Sequence, residues 1–148
     1  DELYIKDVVS WTTLITGYSQ IRKHGIAFHL FNKMRSMGIA PNPVTFLVIL
    51  NACSCSWLVN QGETYYESMR ASYGITPAWQ HQSCMLDLFV RSGHLHKAIT
   101  EIKQISSSRY VPAWFDLLGA CEKWGNKELG RSVFDHLTCF DNKLETIA

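Results

Sequence analysis

The apolar positions between Val8 and Asn42 fall into two stripes of helical spacing. Trp11, Leu14, Ile15 and Tyr18 stand at i, i+3, i+4 and i+7, and Ala27, Leu30, Phe31 and Met34 repeat the same figure. The stretch between them, Ile21 to Gly25, is mostly polar and closes on a glycine, which predicts a turn. Gly38 stands where a helix commonly ends, and Pro41 forbids continuation. The whole stretch predicts one antiparallel helix pair.

That pair recurs along the chain. The first stripe returns as Phe46, Ile49, Leu50 and Cys53, then as Gln82, Met85, Leu86 and Phe89, then as Trp114, Leu117, Leu118 and Cys121. The second returns in step as Gly62, Tyr65, Tyr66 and Met69, then Ala98, Glu101, Ile102 and Ile105, then Gly130, Val133, Phe134 and Leu137. Counted on the first stripe, the intervals are 35, 36 and 32 residues. A period of this size marks an all-α solenoid, in which each helix pair buries its apolar face against its neighbours. The predicted units are 8–42, 43–78, 79–110 and 111–140, the third ended by Ser106 to Ser108 and the fourth opening with Pro112 in its first turn. Residues 1–7 read as the tail of an upstream repeat, and 141–148, which carry no stripe, as a frayed end.

Composition narrows the function classes. With 47% hydrophobic and 18% charged residues the chain of 148 can bury a core, and a formal net charge of +1 argues against indiscriminate polyanion binding. No apolar run reaches the roughly 20 residues of a bilayer span. The opening DELYIKD has neither a methionine nor a signal-peptide pattern, so the chain reads as cut from something longer. The five cysteines are odd in number and form no CxxC pair; Cys53 and Cys121 share the stripe position of Tyr18, which predicts reduced thiols in a core.

Two helical-repeat families fit parts of the pattern. A tetratricopeptide repeat wants W-x2-L-G-x2-Y and then A-x3-F at a constant spacing of about 34 residues. Trp11, Leu14, Tyr18, Ala27 and Phe31 agree, but Ile15 stands where the glycine belongs, Met34 where a small residue belongs, and the intervals are unequal. DVVSWTTLITGYSQ, AFHLFNKM, GIAPNPVTFLVILNACS, LVNQG, YYESM, YGITP, HQSCMLDLFVRSGHL and WFDLLGACEKWGNKELG together cover nearly the whole chain. In their order and spacing they resemble the pentatricopeptide repeat family, and within it the plant organelle subgroup with repeats of alternating length. The last unit resembles that subgroup's degenerate extension repeat.

The resemblance implies a right-handed α-solenoid that binds single-stranded RNA in a mitochondrion or chloroplast, one base per repeat. It implies that the fifth and last positions of a repeat read the base edge while an aliphatic second position packs on the base plane. In the first unit these are Thr12, Asn42 and Val9, with Val44 of the next unit on the base's other side, and the family associates threonine with asparagine with adenine. Later units depart: Leu47 with Ala78, Ser83 with Tyr110, and Phe115 without a clear partner. Of these, only Ser83 is carried over as a further base-reading candidate. Arg91 and Lys123, at the ends of first helices, are candidates for phosphate contact or for complementing the helix dipole.

No enzyme is expected. The zinc deaminase that often follows such repeats needs H-x-E and P-C-x-x-C, and neither is present. His94 and His96, two apart beside a turn, point away from each other on a helix and read as a solvated turn. No cofactor, small-molecule substrate or membrane partner is implied. Two functions remain open: recognition of an organelle RNA, most concretely at a C-to-U editing site, and a protein-binding scaffold resembling tetratricopeptide repeats. In the second, Phe115 and Tyr110 would dock a partner such as a deaminase-bearing chain.

Overall fold

The computed structural model describes residues 7–104 and 111–147, with side chains through residue 139, and every regular element among them is an α-helix. In chain order these are α1 (Val8–Gln20), α2 (His24–Ser36), α3 (Pro43–Cys55), α4 (Val59–Ala71), α5 (Trp79–Arg91), α6 (Leu95–Gln104), α7 (Val111–Lys123) and α8 (Lys127–Ile147). The first helices of successive pairs begin 35, 36 and 32 residues apart, the same intervals at which the apolar stripes recur. The fold is therefore an all-α repeat of helix pairs. None of the described helices is long and apolar enough to cross a membrane. The chain divides into two compact units, Asp1–Leu88 and Phe89–Ala148.

Local sequence explains where α1 and α3 start. Asp7 caps α1 by accepting the Ser10 N–H at 2.7 Å. At α3 the cap is reciprocal: Asn42 Oδ1 accepts the Thr45 N–H, Thr45 Oγ1 accepts the Asn42 N–H, and Pro43 supplies a first-turn residue with no N–H to satisfy. α1 packs on α2 and α3 on α4, while α1 and α2 both lie against α3. The shared core is aromatic. Phe31 meets Phe46 and Tyr65 edge to face at 5.5 and 5.1 Å, and Phe46 meets Tyr73 at 5.5 Å. Arg35 closes the cluster, its guanidinium lying over Phe31 and Tyr73 and its Nε donating to the Tyr73 hydroxyl at 2.8 Å. Removing a ring as buried as Phe31 costs about 3–5 kcal/mol.

In the second unit α7 packs against both α6 and α8 around Leu95, Ala98, Ile102, Trp114, Leu117, Cys121, Val133 and Leu137. Trp114 stacks on His136 with ring centroids 4.1 Å apart.

Three expectations change. The turn after α1 does not close on Gly25, which lies inside α2; it closes on Arg22, held at φ 62°, with the Lys23 N–H returning to the Tyr18 carbonyl at 2.9 Å. This is a glycine-type helix stop carried by an arginine. The predicted stop at Gly38 holds, at φ 80°. The frayed end expected for 141–148 is helical as far as Ile147, since no glycine or proline interrupts the chain after Gly130. Phe134, placed on the buried stripe by its spacing, faces solvent instead. Residues 1–6, Ile105, the predicted end of the third unit at Ser106 to Ser108, Tyr110 and Ala148 lie outside the described residues.

Candidate functional site

A groove in the first unit is built from α1 and the start of α3. Its lining is Val9, Thr12, Thr13, Thr16, Gly17, Gln20, Asn42 and Val44, around about 470 Å³ of space. This volume is in the range of small-ligand sites. Four residues singled out in the sequence, Val9, Thr12, Asn42 and Val44, are brought together here.

Their exposure divides them by chemistry. Val9 and Val44 are 67% and 56% exposed. Thr12 is only 7% exposed and Asn42 is half-buried. Both polar residues are held from behind by Thr45, which is wholly buried. Thr12 Oγ1 lies 2.7 Å from Thr45 Oγ1, and Thr45 Oγ1 lies 2.9 Å from Asn42 Oδ1.

The other hydroxyls of the groove are already used. Thr13 donates to the Val9 carbonyl and Thr16 to the Thr12 carbonyl, at 2.8 and 2.7 Å. No charged side chain is among the lining residues. A neutral wall with two exposed aliphatics and one threonine–asparagine pair suits a flat, uncharged group with apolar faces and a hydrogen-bonding edge. It does not suit a phosphate, for which cationic or N–H donors would be needed.

The remaining candidates lie elsewhere. Ser83, on α5, is half-buried and is not among the residues lining the groove. Arg91 and Lys123 occupy the last turns of α5 and α7 in the second unit, both exposed, with Lys123 Nζ 5.8 Å from the Trp124 ring centre. Phe115 stands out from α7 into solvent.

Sequence reasoning missed three polar contacts. Thr45 is the first. The second is Ser54, buried on α3, whose hydroxyl donates to Asp87 Oδ2 at 2.5 Å. The third is His81, whose Nδ1 accepts the Ala78 N–H at 3.0 Å while Nε2 lies 2.8 Å from the Pro43 carbonyl. A carbonyl only accepts, so Nε2 is the donor in this contact. A signal was available for the first two: Thr12 with Thr45, and Ser54 with Asp87, are polar pairs 33 residues apart on neighbouring first helices.

The cysteines are thiols. Cys53 and Cys121 are buried as their stripe position predicts, Cys84 is half-buried, and Cys55 and Cys139 are exposed. Burial pushes the Cys53 thiol up to about 12 and Cys84 up to about 11, with neighbouring thiols and, for Cys84, Asp87 adding to the effect.

Comparison with known proteins places this geometry in context. A family model for the PPR repeat family matches residues 6–55. A pentatricopeptide repeat-containing protein of Arabidopsis thaliana is 40% identical over 129 residues, covering 87% of this chain and 26% of its own length. A mitochondrial and a chloroplastic pentatricopeptide repeat-containing protein of the same plant are each 40% identical, over 141 and 137 residues. They are covered over 18% and 20% of their lengths and match 95% and 93% of this chain. The chain thus spans about a quarter or less of these relatives. Among solved structures it is similar to the pentatricopeptide repeat protein PPR10 in complex with an 18-nt psaJ RNA element. That match has a TM-score of 0.73 and 25% identity over 93% of this chain and 20% of that one. PPR10 from maize aligns with a TM-score of 0.71 at 19% identity, over 93% of this chain and 20% of that one, a likeness of fold.

Proposed function

Because this chain belongs to the PPR repeat family, we propose that it binds single-stranded RNA in a plant organelle and reads one base, adenine, in the groove between α1 and α3. The observation that carries the reading is the convergence of Val9, Thr12, Asn42 and Val44 on one uncharged groove. Val9 and Val44 cover the two faces of the base, and Thr12 and Asn42 address its Watson–Crick edge. PPR10, with 18 nucleotides of psaJ RNA bound, is a structural neighbour of known ligand. The mitochondrial and chloroplastic names of the relatives support an organelle.

Each helix pair is taken as one repeat, with bounds 8–42, 43–78, 79–110 and 111–140, the last acting as an extension rather than a reader. Ser83 offers a weaker hydroxyl contact in the third repeat. Arg91 and Lys123 supply phosphate contacts that position the strand without reading it. The finer role is recognition of a C-to-U editing site, within the subgroup whose repeats alternate in length.

Equilibrium binding to a short oligouridylate carrying one central adenosine tests the reading. Binding is weak and salt-sensitive, and Thr12→Ala or Asn42→Ala lowers affinity for the adenosine probe by about tenfold, roughly one lost hydrogen bond to a base edge. Affinity that does not change when the adenosine is replaced by each other nucleotide refutes it.

A second reading has its own observation: Phe115 on α7 and Phe134 on α8 are both more than half exposed in the second unit. Large exposed aromatics suit a protein partner such as a deaminase-bearing chain. Phe115→Ala then abolishes partner capture while leaving RNA affinity unchanged.

A further inference from the structure

We propose that Thr45 is the specificity-setting residue of the base groove, fixing through its backbone N–H and its hydroxyl which of Thr12 and Asn42 donates and which accepts. The inference rests on the RNA-reading proposal above and deepens it.

The argument is a count of protons. Thr45 Oγ1 sits between two oxygens, 2.7 Å from Thr12 Oγ1 and 2.9 Å from Asn42 Oδ1. Each of these short O···O contacts needs a proton, because lone pairs facing each other at such distances repel. The amide oxygen has none to give. Two hydroxyl protons therefore serve two contacts: Thr45 donates to Asn42 Oδ1, and Thr12 donates to Thr45.

The amide cannot be turned round. Its oxygen also accepts the Thr45 N–H at 2.9 Å, and an NH2 group placed there would set donor against donor. Thr45 Oγ1 is then filled, since it also accepts the Asn42 N–H at 3.2 Å. Burial of Thr45 keeps water from substituting for any of these partners.

What remains for a ligand follows directly. Thr12 has spent its proton and offers the groove only a lone pair. Asn42 has spent its oxygen and offers only the N–H bonds of Nδ2. An acceptor beside a donor matches an exocyclic amino group next to an unprotonated ring nitrogen, as in adenine and cytosine. Guanine and uracil present the opposite order, a carbonyl next to a ring N–H. The half-buried amide and the buried threonine cannot both rotate to suit them without breaking the contacts to Thr45.

The test is the ratio of affinities for the oligouridylate carrying one central adenosine and for the same strand carrying guanosine. The wild-type chain favours adenosine by about tenfold or more. Thr45→Val keeps the shape and the backbone N–H but removes the hydroxyl. The Thr12 hydroxyl is then free to donate to a guanine carbonyl while the retained N–H still holds the Asn42 amide, so the ratio falls by about threefold or more, mainly by raising affinity for guanosine, which a loss of fold would not do. Thr45→Ser restores the wild-type ratio. Thermal unfolding of each variant is recorded alongside.

A wild-type ratio that survives Thr45→Val in a folded chain overturns the role of Thr45 and leaves the RNA reading standing. A wild-type chain that binds both strands equally overturns base reading and this inference together. Should Thr45→Val not fold, proton NMR of the wild-type chain decides. A Thr45 hydroxyl proton protected from exchange supports the relay, and one that exchanges at the rate of an exposed threonine overturns it.

Discussion

Replacing Gly62 by alanine puts a carbon where the packing between α4 and its neighbours has no room for one. A Cβ there comes within 2.5 Å of Leu88 Cδ2 and 3.5 Å of Cys53 Cβ. Carbon atoms attract best at about 3.5–4.0 Å, so the leucine methyl must retreat by about 1 Å. Both neighbours are wholly buried, which leaves Leu88 no solvent to swing into. Overpacking of this kind costs about 1–3 kcal/mol, and alanine recovers about 1 kcal/mol over glycine within a helix. The net loss is therefore about 0–2 kcal/mol. Gly17 is the internal control in the same unit: it lies inside α1, where an added Cβ would meet nothing within 4 Å. G17A keeps the propensity gain alone and raises stability by up to about 1 kcal/mol. Urea and thermal unfolding followed by circular dichroism separate the two, at about 4–8 °C per kcal/mol for a unit of this size. Leu88→Ala supplies the decisive background. Alone it costs about 2–5 kcal/mol, but with the obstructing methyl gone the added Cβ of G62A fills space, and its effect changes sign. Equal losses from G62A in both backgrounds, or a G62A as stable as G17A, refute the close approach.

Two further outcomes concern titratable groups. The Ser10 N–H holds the Asp7 carboxyl below the usual carboxylate range. A lowered folded-state pKa contributes stability above the unfolded value and loses it as pH falls through the folded one. Asp7→Ala should therefore lower the urea midpoint at neutral pH, with a deficit that shrinks below about pH 3.9; a deficit constant with pH argues against the charged cap. Thiol labelling with a disulfide reagent at pH 8 should modify Cys55 and Cys139 quickly and spare the others. Burial pushes Cys84 to about 11, leaving roughly one thiolate in a thousand, and Cys53 higher still. Fast labelling of Cys53 in the folded chain contradicts its place in the core.

The apolar stripes were legible because each depends on a single helix presenting one face to a core. Of the first-helix stripe residues none is exposed, and Trp11 and Trp114 fall into the core as their spacing implies. What escaped lies between helices. Arg22 and Trp57, at φ 62° and 59°, close their turns in a conformation that usually selects glycine, and nothing in the flanking residues marks them. The pairing of α2 with α1, and of α4 with α3, imposes the turn regardless of the residue there. Phe134 shows the converse limit: its spacing suited burial, but α8 presents Val133 and Leu137 to the core instead. Thr12 and Asn42 stand out through the family resemblance, whereas Thr45 falls neither on the apolar stripe nor at a base-reading position. Its role needs two helices at once, which no single-helix periodicity encodes.

The first unit uses the same atoms for a helix start and for the proposed reading of a base, and this sets a limit on what the chain can discriminate. Asn42 must keep Thr45 satisfied to begin α3, so its amide is oriented before any ligand arrives, and little entropy is lost in aligning it. Such preorganisation favours discrimination over raw affinity. A well-placed pair of contacts to one base edge discriminates by about 1–3 kcal/mol, or roughly 5- to 150-fold. The equivalent positions Leu47 and Phe115 have no hydrogen-bonding group to add, and Ser83 has a single hydroxyl that lies away from the groove. On the RNA-reading proposal, one strongly read base is the selectivity these residues supply. Discrimination multiplies with each further pair in series, so a second groove of this construction would square the ratio, whereas more surface charge would raise affinity for every sequence alike.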